Sequence, residues 1–303
     1  MKIKFLKYRK IYYTFSILLV IGSIASVAAF GLKFRIDFTG GSIMEVTYAD
    51  QVPDSATIEK SLAELDLGQI TLQTVGDKGL LLRIKHIDEA THQSILSKLT
   101  GAAEQSFETI GPVVGNELKQ KTQVAIVLSL LAIIAYIAFA FRKVSYPAKS
   151  WQYGVANLVA LFHDLLLPIG IFALLGKFYG VEITIPLVAA LLTVLGYSNS
   201  DTVVVYDRIR ENLLKHGSEA SFEQTVDASL NQTLIRSTHT VFSVLLTLFA
   251  LFFFGGESLK YFSLVLIIGI ISGSYSSIFI ASPLLATWVK WKNQGLTKVR
   301  KGG

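Results

Sequence analysis

The chain predicts an α-helical integral membrane protein with six transmembrane helices and a small α+β, ferredoxin-like extracytoplasmic domain. Three observations carry that prediction. Of its 303 residues 51% are hydrophobic, with mean hydropathy +0.51. The apolar residues fall in blocks of about twenty, the length that crosses a hydrocarbon core of about 30 Å. One polar insert of ninety residues, 32–121, separates the first block from the second. The net charge of +6 forms no continuous basic face, because Lys and Arg gather at the block edges, so no nucleic-acid partner is expected. Without cysteine, disulfides, thiolate nucleophiles and Cys-based metal sites are excluded.

The first segment, 1–31, joins a basic N-terminus, MKIKFLKYRK, to a span over 11–31. Ser26-Val27-Ala28 also fits the small-x-small end of a cleavable signal, but the apolar run exceeds the usual seven to fifteen residues, so a retained helix is expected. Five further spans follow at 122–141, 153–175, 183–206, 236–255 and 261–289, making 122–289 a five-helix bundle. Between spans four and five lies a connector, 207–235, whose RIRENLLKHG and FEQTVDASLNQTL read as amphipathic helices near the membrane surface. A basic tail, 290–303, closes the chain.

Cations set the orientation. Five Lys and Arg precede span one, three lie in 142–152, four in 207–236 and five after span six. The short opposite loops hold only Lys177 and Lys260. Both termini are expected in the cytoplasm of a multi-pass protein in the cytoplasmic membrane, with the insert outside.

Within the insert, strands are expected at 42–48, 70–75, 80–87 and 106–114, and helices at 54–65 and 88–103. That β-α-β-β-α-β order suits a split βαβ unit. Phe38-Thr39-Gly40-Gly41 reads as a sharp turn needing positive φ. No residue set has metal-ligand spacing, a nucleophile triad or a phosphate-cradling loop, so no cofactor or metal is expected.

Ionisable residues inside a span are costly and mark a pathway, a partner or a relay. Asp201 is the strongest candidate. Tyr197 and Ser198 share its helix face, and Asn199, Ser200 and Thr202 make its surroundings polar. The bland alternative ends the span early at an interfacial Asp201, which would strand the apolar Val203-Val204-Val205 in water. Arg236 lies in the same layer as Asp201 if both helices are straight, each about 27–29 Å from the outer face. It is either a counter-charge or a snorkelling anchor at the headgroups. His163 and Asp164 sit near the middle of span three. They are a hydrogen-bonded core pair or a second relay station, with one residue turned toward Asp201. His239, one turn into span five, reads as a satisfied structural histidine. Gly269, Ser272, Gly273 and Ser274 form a small-residue packing face.

RIDFTGGSIMEV (35–46), ETIGPVVGNEL (108–118), GYSNSDTVVVYDRIREN (196–212), NQTLIRS (231–237) and SGSYSSIFIASPLL (272–285) closely resemble the SecF family of Sec accessory subunits. That family lies within the resistance-nodulation-division superfamily. The resemblance implies a SecD partner, docking to the SecYEG channel, and use of the proton-motive force to draw preproteins across the membrane. It gives Asp201 the part of the proton-carrying carboxylate and Arg236 that of its basic neighbour. The family's pattern puts Asn directly before that Asp, whereas here Ser200 stands there and Asn199 is displaced by one. A proton-driven small-molecule or lipid exporter of the same superfamily is the alternative. An intramembrane enzyme using His163, Asp164 and Asp201 lacks a flanking motif, so no enzymatic activity is expected.

Overall fold

The computed structural model describes residues 3–142, 147–216 and 221–301. The chain divides into two compact units, one formed by residues 34–124 and the other by 1–33 with 125–303.

In the smaller unit the order is α2 (Ile36–Thr39), β1 (Gly41–Tyr48), α3 (Ser55–Leu62), β2 (Thr71–Val75), β3 (Gly79–Ile84), α4 (Glu89–Lys98) and β4 (Ala102–Ile110). The sheet is antiparallel with strand order β2-β3-β1-β4, the ferredoxin-like arrangement that the alternating pattern implies. Met44, Val46 and Tyr48 point to the same face of β1 and pack with Leu80, Leu82 and Ile84 of β3. Ile58 and Leu62 of α3 and Ile95 of α4 close this core. Register slips between Glu45 and Val46, where β1 meets β4 through a bulge.

Several expected boundaries move: α3 ends at Leu62 instead of Leu65, β3 ends at Ile84 instead of Ile87 and β4 begins at Ala102 instead of Ser106. The second helix stops at Lys98 instead of running to Ala103, because Gly101 turns the chain at φ +81° and frees Ala102 to begin β4. The last strand ends at Ile110 instead of Val114, because Pro112 cannot donate to a ladder and instead opens α5 (Pro112–Ala140). Gly40 and Gly41 adopt φ +70° and +131°, as the turn reading requires. They also sit against the start of α5: a Cβ on Gly40 would lie 2.7 Å from Pro112 Cα.

The larger unit is a helix bundle. Its helices are α1 (Arg9–Phe30), the end of α5, α6 (Ser150–Tyr179), α7 (Ile185–His216), α8 (Phe222–Phe254), α9 (Gly256–Ser276) and α10 (Ser282–Lys301). Five π-helical residues, Ser277–Ala281, join α9 to α10 without a break. Pro283 has no N–H for the carbonyl four residues back, and one extra residue per turn accommodates it; Ser282 Oγ instead donates to Ser277 O at 3.0 Å. Among the described residues, six helical segments are long and apolar enough to cross a membrane.

Small residues bring the helices together. The buried positions of α1 include Ser16, Ser23 and Ser26, and Gly170 of α6 meets Ser23 so closely that a Cβ would lie 2.4 Å from it. Ser26 of the signal-like triplet is thus part of a packing face. In α9 a Cβ on Gly269 would lie 2.2 Å from Val194 Cγ2, and one on Gly273 2.8 Å from Ser198 Cβ. The packing reading of the Gly/Ser stripe is what the structure shows there.

The connector differs from the expectation. RIRENLLKH continues α7, and FEQTVDASLNQTL begins α8, so neither is a separate surface helix. No glycine or proline interrupts 197–216, and Ser221 with Gln224 forms a capping box that starts α8 in place. Residues 217–220 lie outside the described residues. Asn212 Nδ2 donates to Ser229 Oγ (2.8 Å) and Gln232 Oε1 (2.9 Å), clasping the two extensions. Residues near the N-terminus join this clasp: Leu6 N donates to Asp227 Oδ1 at 3.0 Å, and Arg9 pairs with Glu223 at 2.7 Å.

Candidate functional site

Asp164 is fully buried near the middle of α6. A carboxylate there needs donors, because an unpaired charge in an apolar interior costs several kcal/mol or about that order. Serines of two other helices supply them. Ser198 of α7 and Ser276 of α9 each donate to Oδ2 at 2.6 Å, and Ser272 of α9 donates to Oδ1 at 2.7 Å. His163 Nδ1 lies 3.0 Å from the same Oδ1. Three serine donors, with His163 Nδ1 at hydrogen-bond distance, surround the two oxygens, so Asp164 ties α6, α7 and α9 into one knot.

His163 and Asp164 form a hydrogen-bonded core pair, and Asp164 lies within electrostatic reach of Asp201. Neither hydrogen-bonds to it; both converge on Ser272, and the His163 ring packs 5.9 Å from that of Tyr275. Ser272 therefore does more than allow close packing.

Asp201 lies one turn along α7 from Ser198 and is half-buried. Ser237 of α8 donates to its Oδ1 at 2.7 Å. Its Oδ2 is buried without a partner of good hydrogen-bond geometry, although the Ser277 hydroxyl lies close by. Arg236 shares a cleft of about 100 Å³ with Asp201, Tyr197, Ser200, Val204, Ser237 and Thr240. Among the described residues no ion pair within 4.0 Å joins Arg236 to Asp201. The reason is helical geometry: Ser237 faces α7, and its neighbour Arg236, about 100° around α8, is turned to the open side. The same layer thus holds both charges, but the direct contact is a serine.

The other predicted residues divide. Ser198 belongs to the Asp164 knot, while Tyr197 and Ser200 border the Asp201 cleft. Asn199 faces α6, where Asn157 Nδ2 donates to its Oδ1 at 3.1 Å. Its displacement from the position before Asp201 puts it on a different face from the carboxylate. His239, expected to be a structural histidine, is exposed on α8. Sequence reasoning missed Ser237, Asn157 and the Thr202–Ser277 contact, in which the hydroxyls are 2.8 Å apart. A lone Ser, Thr or Asn in an apolar run carries little signal until a facing helix is known.

A family model described as "Protein export membrane protein SecD/SecF, C-terminal" matches residues 91–291. The chain is 42% identical over 302 residues to the protein translocase subunit SecF of Thermobaculum terrenum, covering 94% of both chains. It is 36% identical to the SecF of Synechocystis, covering 97% of this chain and 96% of that one. The chain belongs to the SecF family of protein translocase subunits. Its structure is similar to the crystal structure of SecDF, a translocon-associated membrane protein from Thermus thermophilus, with TM-score 0.80 and 32% identity. The match covers 97% of this chain but 39% of that one, so the chain spans about two fifths of the SecDF structure's length. A second SecDF structure, in a super-membrane-facing form, gives TM-score 0.69. Membership of the SecF family, together with six apolar helices, makes this a multi-pass membrane protein.

Proposed function

We propose that this chain is a proton-coupled subunit that helps move preproteins across the cytoplasmic membrane, pairing with SecD and acting at the SecYEG channel. Both termini are placed in the cytoplasm, following the distribution of cations. The observation that carries the reading is Asp201: a carboxylate in a membrane-spanning helix, held by Ser237 and sharing a cleft with Arg236. The pairing with SecD is supported by likeness to SecDF structures and by apolar side chains left exposed on α5 and α8, among them Val127, Leu131, Phe242 and Leu246.

Burial favours the neutral carboxyl, whereas a guanidinium and a hydroxyl donor favour the carboxylate. Movement of α7 against α8 changes that balance, so proton occupancy and helix position are linked. One charge crossing 100 mV is worth about 2.3 kcal/mol, enough to bias two states a few kcal/mol apart. The Asp164 knot is the fixed part, because its oxygens are already satisfied. Asp201, with one oxygen unpaired, is the part that changes. The outer unit is continuous with α1 and α5, so movement in the bundle reaches it through the chain.

Asp201→Asn keeps the size and removes the titration. With SecD present, complex yield is expected to match wild type and proton-dependent stimulation of preprotein export to be lost. Stimulation by a proton gradient that persisted in this variant would refute the assignment.

A further inference from the structure

Buried polar atoms almost always have partners, and in membrane bundles an internal water commonly supplies the missing one. Among the described residues of the bundle, five buried side-chain atoms have none: Tyr153 OH, Asn157 Oδ1, His163 Nε2, Asp201 Oδ2 and Tyr206 OH. Three of them belong to one interface. Tyr153 and Asn157 lie one turn apart on α6, and Asn199, Thr202 and Tyr206 stand at i, i+3 and i+7 on one face of α7. The two stripes meet. Asn157 bonds to Asn199 at 3.1 Å, and the Tyr153 and Tyr206 rings are 5.0 Å apart, edge to face.

The upper end of this stripe reaches Asp201. Thr202 and Ser277 share a hydrogen bond at 2.8 Å, and Ser277 stands beside the Asp201 carboxylate, whose orphaned Oδ2 is buried. At the other end, Phe141 packs against both tyrosine rings, with centroids at 5.1 and 5.9 Å. Phe141 also lines a second cavity of about 370 Å³ whose walls include Asp207, Arg208, Arg210 and Glu211. Hydroxyl and amide groups thus run from a buried carboxylate to an aromatic plug, with charged residues beyond it.

We propose that internal waters held by Asn157, Tyr153 and Tyr206 complete a proton file between α6 and α7. The file links Asp201, through Ser277 and Thr202, to the charged cavity at the Ser150 end of α6. In the orientation set by the cations this is the cytoplasmic branch of the route, and Arg236 lines both the cleft beside Asp201 and the charged cavity. A proton released by Asp201 passes along hydroxyls and waters, each oxygen accepting one proton and giving up another, so no net chemistry occurs in the file. Thr202, Asn157 and the two tyrosines act as positioning residues. This inference rests on Asp201 being the proton carrier.

The test uses the full chain with its SecD partner in proteoliposomes, with proton flux read by an entrapped pH-sensitive dye under an imposed gradient. Asn157→Leu fills the file with a methylated isostere, and Thr202→Val removes one hydroxyl at constant shape. Each is expected to lower flux about tenfold, whereas Thr193→Val, the same change at an exposed position of α7, leaves it at the wild-type rate. X-ray radiolytic labelling of the unmodified complex is expected to oxidise Tyr153 and Tyr206 despite their burial, because bound water generates hydroxyl radicals in place. Wild-type flux in both file variants, with flux lost in Asp201→Asn, would overturn the file and leave the carrier intact. Wild-type flux in Asp201→Asn would remove the carrier itself. Unlabelled tyrosines in the unmodified complex would show a dry interface and also overturn the file.

Discussion

At the scale of single residues, two aspartates on neighbouring helices receive opposite treatment. Asp164 takes three serine donors that reach both its oxygens, with His163 Nδ1 alongside, whereas Asp201 takes one serine and has a buried Oδ2 without a well-aligned partner. The difference decides which carboxylate has reason to change state. Ser237 is the only hydroxyl donating to Asp201 with good geometry among the described residues. A hydrogen bond to a charged group contributes about 1.5–3 kcal/mol. Ser237→Ala is therefore expected to lower proton-dependent stimulation of export about tenfold, and Ser237→Thr to retain most of it. Equal stimulation in Ser237→Ala and wild type would show that the contact does not set the carboxylate's state. The sequence pointed to Asp201 and Arg236 because charges in apolar runs are conspicuous. It did not point to Ser237, because serine is common in membrane helices and its value lies in what it faces.

At the scale of elements, the contacts of α9 are set by what its glycines lack. Gly269 admits Val194 of α7 into the space a side chain would take, and Gly273 does the same for Ser198, which brings Ser198 to Asp164. Overpacking such a contact costs about 1–3 kcal/mol. Gly269→Val is expected to lower the thermal unfolding midpoint of the detergent-solubilised complex, and adding Val194→Ala to recover part of the loss. A midpoint unchanged by Gly269→Val would mean that α7 and α9 part freely here. The continuous helices of α7 and α8 belong to the same scale. A charged, amphipathic segment after an apolar span matches a surface helix and an extension equally well in periodicity. The contacts of Asn212, Asp227 and Glu223 across helices choose the extension.

At the scale of the whole molecule, the two units are stabilised by different means. The smaller unit, residues 34–124, has a small apolar core around Met44, Leu62, Leu82 and Ile95, plus carboxylates paired at its surface. Glu64 is held below its ordinary pKa by a hydrogen bond from Lys98, and Asp66 by one from Lys85. Asp88, which caps α4 through Thr91 N, is lowered first by the Thr91 side chain and then by that backbone bond, and Glu89 is lowered chiefly by Gln93 and then by His92. A folded-state pKa below the unfolded value gives stability that is complete above about pH 4 and fades as pH falls through the lowered folded values. All four groups are exposed, so each effect is small and screened. Hydrogen exchange of the sheet amides is expected to be faster, relative to intrinsic rates, at pH 3 than at pH 6. Equal protection at the two values would show that these pairs add nothing.

Six spans, the four-stranded order and the carboxylate at 201 were all determined by the sequence alone. Each rests on a pattern along the chain: blocks of about twenty apolar residues, alternation with period two, and an ionisable group where none is cheap. Tertiary structure alone decided which helices meet at each polar atom. The knot of Asp164 with Ser198, Ser272 and Ser276 joins positions 34 to 112 residues apart, and no local period records such a meeting. Packing of small residues set those distances, and the distances made one aspartate fixed and left the other with an oxygen unpaired.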